Sequence, residues 1–173
     1  MSSSIYNIAN WSSNTQYGKN DIVINSGLYY YTAISHTSSA SFATDLAAGD
    51  WNGNLYDRGQ NKPYFFWKPS YKGSNKNEPR VRKIQFGDSY AQYSPDGINN
   101  LLLNYNFTFE VRELNEATAI LHFLTVRNGS ESFIFSPPAP RGQLLRFICP
   151  TFTDIQEFFQ NYTIQATFQQ NPV

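Results

Sequence analysis

The sequence predicts a mainly β protein: a small aromatic-rich β module followed by a larger antiparallel β domain carrying one α-helix. Three observations support that reading. Aromatic residues make up 17% of the 173-residue chain and charged residues only 15%, a balance that favours strands and surfaces covered by a partner over surfaces kept soluble by charge. Several runs alternate apolar and polar residues with a period of two, as half-buried strands do. One stretch instead shows the i, i+3, i+4, i+7 apolar spacing of a helix.

Residues 1–56 read as the small module. In DIVINSGLYYYTAI, two β-rich runs flank Asn25-Ser26-Gly27, a hairpin turn with glycine where a positive φ is needed. TDLAAGDW reads as a short helical turn ahead of Trp51. A unit this small has little room for a core, and the rings of Trp11, Tyr17, Tyr29, Tyr30, Tyr31 and Trp51 supply much apolar area per residue. Lys19 is the only basic residue before Arg58, and the polar stretch YDRGQNKP, with Gly59 and Pro63, marks a linker over 57–62.

The second part spans 63–173. In YNFTFEV, Tyr105, Phe107, Phe109 and Val111 fall on one face; in NYTIQATFQQ, Tyr162, Ile164, Ala166 and Phe168 do the same. SFIFSP and LLRFICP are shorter strand candidates, each stopped by its proline. Between YNFTFEV and SFIFSP, NEATAILHFLTVRNG predicts a helix over about 115–128. Asn115 serves as its cap, Glu116 suits the positive end of the dipole, and Gly129 is the stop. Its apolar stripe is Ala117, Ile120, Leu121 and Leu124.

No residue pattern points to catalysis, cofactors or metals. The two histidines, His36 and His122, lack the spacing of a zinc site and read as structural or solvent-facing. Carboxylates close in sequence, such as Glu110 and Glu113, have nothing beside them to separate their acidities. The single cysteine, Cys149, lies in an apolar run and reads as a buried, inert thiol. Thirteen basic and thirteen acidic residues cancel, so bulk charge recommends neither nucleic acid nor an acidic surface. No run approaches the length of a membrane span, and MSSSIYNIANW lacks the features of a secretory signal. The expectation is a chain made and assembled in a cytoplasm, where its Asn-X-Ser/Thr triplets carry no sugar. One charged feature stands out. KPSYKGSNKNEPRVRK sets Lys68, Lys72, Lys76, Arg80, Arg82 and Lys83 against Glu78 alone, a long loop suited to ordering on a partner.

From FFWKPSY through VRKIQFGDSYAQYSPDGIN, then NFTFEV, NEATAILHFLTVRNGSESFIFSPP and YTIQATFQQ, the second part resembles the lambda-like phage minor tail protein M family, whose members are distal-tail components. The most specific pieces are Arg82-Lys83 followed by Phe86-Gly87-Asp88-Ser89-Tyr90, then Gly97 with Asn99, then the succession from the helix through Gly129 and SFIF to Pro137-Pro138. The family usually carries glycine where this chain has Ser89. The resemblance implies a β-sandwich or barrel related to tail-tube proteins. It also implies a homo-oligomeric ring, a hexamer, joining the end of the tail tube to the tail-tip hub in the virion. The tail tube protein and hub protein would be partners, with the tape measure protein and side fibres as further contacts. A ring of this kind needs head-to-tail contacts that close. Gly87-Asp88 and Ser94-Pro95-Asp96-Gly97 then read as two turns framing a short strand around Tyr90–Tyr93, and the docking candidates are Lys72, Lys76, Arg80, Arg82, Tyr90 and Tyr93.

The first part resembles the small carbohydrate-binding modules of chitinases and cellulases through Trp11, Tyr17, Asp21, Val23, Gly27, Tyr30 and Trp51. Where such modules place adjacent exposed aromatics, this chain reads Ile34-Ser35-His36. Trp11, Tyr29, Tyr31 and Trp51 remain candidates for glycan or subunit contact. The alternative to a connector is therefore a receptor-recognition subunit that grips a host surface glycan.

Overall fold

The computed structural model describes residues 8–52, the backbone of 54–55, and residues 62–70, 73–86 and 89–172. The linker expected over 57–62 falls outside these residues except for Lys62, and so do Gly87-Asp88 and Lys72.

The strands before the first helix are β1 (Gln16–Tyr17), β2 (Ile22–Asn25), β3 (Leu28–Thr32) and β4 (His36–Thr37). Helix α1 (Phe42–Ala48) leads into β5 (Trp51–Asn52). The expected hairpin forms from β2 and β3. Ser26 and Gly27 both take positive φ, 52° and 77°, the type I′ geometry whose twist matches paired strands. Strand β5 adds to the far side of β3, and Tyr17, Val23, Phe42 and Trp51 close a small core.

Strands β6 (Asn54–Leu55) and β7 (Lys62–Pro63) pair antiparallel. The rest of the chain forms β8 (Ser74–Asn77), β9 (Val81–Gln85), β10 (Ala91–Pro95) and β11 (Leu103–Glu113). Then follow α2 (Leu114–Arg127), β12 (Phe133–Phe135), β13 (Leu145–Phe158) and β14 (Asn161–Gln170). The main sheet is antiparallel and open, in the order β12-β13-β14-β11-β8.

Alternation along β11 and β14 sends Tyr105, Phe107, Phe109, Ile164, Ala166 and Phe168 to one face. Helix α2 packs Ala117, Ile120, Phe123 and Leu124 into the same cluster. Phe65, wholly buried, is the hub, with its ring 5.0–5.8 Å from those of Trp67, Phe109, Phe123, Phe133, Phe135 and Phe168. Edge-to-face ring pairs dominate, and each adds about 0.5–1.5 kcal/mol beyond the area it buries.

Four local expectations need correction. The basic stretch from Lys68 to Lys83 is not one long loop: Ser74–Asn77 form β8, paired with β11, and Val81–Lys83 begin β9, so backbone pairing and not a partner orders much of it. Val111 does not join the inward face: a bulge between Phe109 and Arg112 puts it at φ 51° and leaves it exposed, because an extra residue shifts the side-chain alternation by one. Helix α2 is capped by Glu113, in extended conformation, and not by Asn115, which lies inside the first turn; β11 runs straight into the helix with no loop between. Pro150 does not stop its strand. It lies where the β13–β14 register shifts, between Ile148 and Thr151, so its missing N–H interrupts the ladder at a point already irregular. Asn128 and Gly129, both at positive φ, end α2 as expected.

Candidate assembly surfaces

The aromatic residues of the first module divide by burial. Tyr31 belongs to the large core, with its hydroxyl 3.0 Å from Nδ1 of His122 and its ring facing Trp67 and Phe123. Tyr29 is half-buried and meets the His122 ring edge-on at 4.7 Å. The Trp67 indole N–H donates to Asn20 Oδ1 across the same boundary at 3.1 Å. The β3 strand therefore seats the module on α2. Trp51 is buried in the small core against Tyr17, while Trp11 is half-exposed at its rim, edge-on to Phe42. Of the four candidates, Trp11 and Tyr29 keep ring area at the surface.

Burial sets the acid–base character of the interior. The His122 pKa is lowered to about 4, first by burial and then by the nearby Arg127 charge, so the ring is neutral at pH 7. Burial also pushes the Tyr31 hydroxyl well above its ordinary range and the Cys149 thiol up to about 12. A thiol held protonated in this way is a poor nucleophile. Among the described residues no group of three His, Cys, Asp or Glu could hold a metal ion, and no helix is long and apolar enough to cross a membrane.

The outer surface behaves differently. Among the described residues, strands β9 and β10 pair only with each other, in register from Val81↔Pro95 to Gln85↔Ala91. Residues opposite one another share a face, so Lys83 and Tyr93 lie together, with the ammonium 5.8 Å from the ring centre. Arg82 and Ile84 take the other face. Phe86 and Tyr90 close the far end through an N–H to carbonyl bond of 2.8 Å. The base is tied down where Arg80 N–H donates to Asn100 and Asp96 N–H donates to the Arg80 carbonyl. Ser89 takes φ 64°, a conformation that glycine adopts at no steric cost. Tyr90 and Tyr93 are 69% and 65% exposed; Val81, Ile84 and Phe86 are exposed as well. Lys76 lies apart on β8, in a surface ion pair of 2.7 Å with Glu78, which adds little stability.

A second exposed region was not visible in the sequence. Beyond Pro150, β13 continues to Phe158, paired among the described residues only with β14, and Ile155, Phe158 and Phe159 are exposed. Elsewhere, Phe65 N–H bonds the carbonyl of Ile134 in β12, β8 together with Ser70 covers β11, and the short strand β8 is the outermost on that side.

Comparison with known proteins places these surfaces in context. The profile of the phage minor tail protein family matches residues 63–172, which takes in the main sheet, α2 and both exposed regions. Tail tip protein M of Escherichia phage N15 is 36% identical over 110 residues, covering 61% of this chain and 92% of that protein. Tail tip protein M of Escherichia phage lambda is 39% identical over 74 residues, covering 43% of this chain and 67% of that protein. The chain belongs to the phage minor tail protein family.

Proposed function

We propose that this protein is a structural component of a bacteriophage tail tip, a connector ring between the end of the tail tube and the tail-tip hub. The carrying observation is that the match to tail tip protein M takes in 92% of the N15 protein. Two exposed apolar regions support an assembly role, since soluble monomers seldom leave such patches bare. The mechanism is assembly and not catalysis. Tyr31, Tyr105, His122, Arg127 and Cys149, the groups with displaced acidities, are all buried.

In this reading residues 63–173 build the ring and residues 1–56 form an accessory module on its outside. The tail tube, hub and tape measure proteins are the neighbours of the ring. Sugar recognition by the module would have to rest on Trp11 and Tyr29, because Tyr31 and Trp51 are buried.

Labelling purified virions with serum against residues 1–56, viewed by electron microscopy, tests the reading. Label at the junction of tube and tip is expected. Label along fibres would overturn the ring and transfer the work to receptor binding.

A further inference from the structure

The two exposed regions share one deficiency: backbone polar groups without ladder partners beside uncovered apolar side chains. An isolated two-stranded hairpin is marginal in water. The β9–β10 hairpin nevertheless presents large apolar side chains on both of its faces. The outer half of β13, Thr151–Phe158, offers a strand edge that no described residue covers, a ready template for another strand.

Their charges differ in sign. Arg80, Arg82 and Lys83 outnumber Asp88 and Asp96 along the hairpin, with Arg82 and Lys83 on β9 itself, whereas Asp154 and Glu157 mark the β13 edge, which has no basic residue. Like pairing with like would therefore bring the same charges together: two β13 edges would set carboxylates against carboxylates, and two hairpins would set Arg82 and Lys83 against their copies. Hairpin against edge satisfies both sets of charges. It also continues the main sheet and covers Phe158 and Ile155 with apolar hairpin residues.

We propose that the β9–β10 hairpin of one copy docks on the outer edge of β13 in the next copy, by strand addition. The contact joins two different surfaces of one chain. It is therefore heterologous, and it closes into a ring or propagates according to the rotation between copies. The inference depends on the tail-tip reading only in supposing that several copies stand side by side.

Charge exchange tests it. Arg82→Glu with Lys83→Glu reverses the hairpin, and Asp154→Lys with Glu157→Lys reverses the edge. Sedimentation velocity of the purified full chain should show concentration-dependent association for the wild type, weakening as salt rises. Each double variant alone should associate at least about tenfold more weakly, equivalent to about 1.4 kcal/mol. The fourfold variant, and an equimolar mixture of the two doubles, should recover. Wild-type chain that stays monomeric, doubles that associate like wild type, or a loss that neither combination rescues would each overturn the proposal.

Circular dichroism checks that the variants fold. Should any not, Tyr93→Cys combined with Ile155→Cys gives a second route: oxidation should yield a ladder of disulfide-linked copies, and an absence of linked copies refutes the contact. Cys149 is buried and stays out of that chemistry. The virion labelling stands apart from these tests. Tip label without rescue refutes the docking alone; rescue without tip label refutes the tail-tip reading alone.

Discussion

The body of the protein and its two projections follow opposite rules with the same kinds of residue. In the body, α2 lies between the main sheet and the first module, and rings meet rings on both of its sides. The helix buries Ala117, Ile120 and Leu124, but also His122 and Phe123 beneath Tyr29 and Tyr31. On the hairpin and the distal part of β13, tyrosine, phenylalanine and isoleucine stand in solvent. The difference shows that aromatic content in this chain serves two ends. One is the cohesion of a core in which phenylalanine is the commonest residue; the other is a surface whose burial awaits another molecule.

The largest effect that would break this comparison belongs to Phe65. Phe65→Ala removes the ring on which six others converge. It should destabilise the protein by about 3–5 kcal/mol, the usual range for a buried phenylalanine. Urea unfolding measures it. A loss below about 1 kcal/mol would mean that the hub is not the centre of the core.

Next comes acid. His122 is 1% exposed, and its pKa falls from 6.5 to about 4 on folding. The unfolded chain thus binds the proton first. The stability contributed by neutral His122 is complete above pH 6.5 and is lost as pH falls toward 4, by up to about 3 kcal/mol. Unfolding midpoints at neutral pH and near pH 4.5 should differ accordingly, and His122→Gln should flatten the dependence. An unchanged slope in that variant would move the acid sensitivity to the carboxylates.

Val111 gives a smaller effect, of opposite sign. A β-branched residue at φ 51° is strained, a conformation costing about 1–2 kcal/mol for a side chain that glycine would not carry. Its side chain is exposed, so Val111→Gly gives up little packing. After the added freedom of glycine in the unfolded chain, the net gain should be about 0.5–1 kcal/mol in a melt. A destabilised variant would show that the side chain makes a contact worth more than the strain.

Much of this was legible in the chain. Period-two runs located β11 and β14, and the apolar stripe located α2. Asn25-Ser26-Gly27 located the first hairpin, because turn chemistry is local. What periodicity could not show were the places where tertiary context overrides a local rule. The bulge reverses Val111 although the pattern through Phe109 is regular. Pro150 looks like a stop until β14 supplies the ladder on either side of it, and the exposed edge Thr151–Phe158 was missed with it. Tyr31 looked like any ring of a small module, since nothing near it in sequence shows that His122 is its partner. For the docking candidates, the chain order showed which lie close in sequence but not which share one projection. Tyr90, Tyr93, Arg80 and Arg82 gather on one projection or its base, whereas Lys76 lies elsewhere and Lys72 is outside the described residues.

The smallest expected effect on stability sharpens the contrast most. Tyr90 carries the same six-membered ring as Phe65, with a hydroxyl added, yet it is 69% exposed and among the described ring contacts meets only the Phe86 ring, at 6.0 Å. If exposure and not residue type decides its role, Tyr90→Ala should change the unfolding free energy by no more than about 0.5 kcal/mol. The same substitution should nevertheless impair incorporation of the protein into tails, because the ring's apolar area is uncovered only until a neighbour arrives. Urea unfolding of the purified chain beside quantitation of the protein in virions separates the two quantities. A variant that is stable but absent from tails assigns the ring to assembly. One that is destabilised as Phe65→Ala is would mean that the hairpin folds back on the body in solution, and the division between body and projection would then fail at its clearest point.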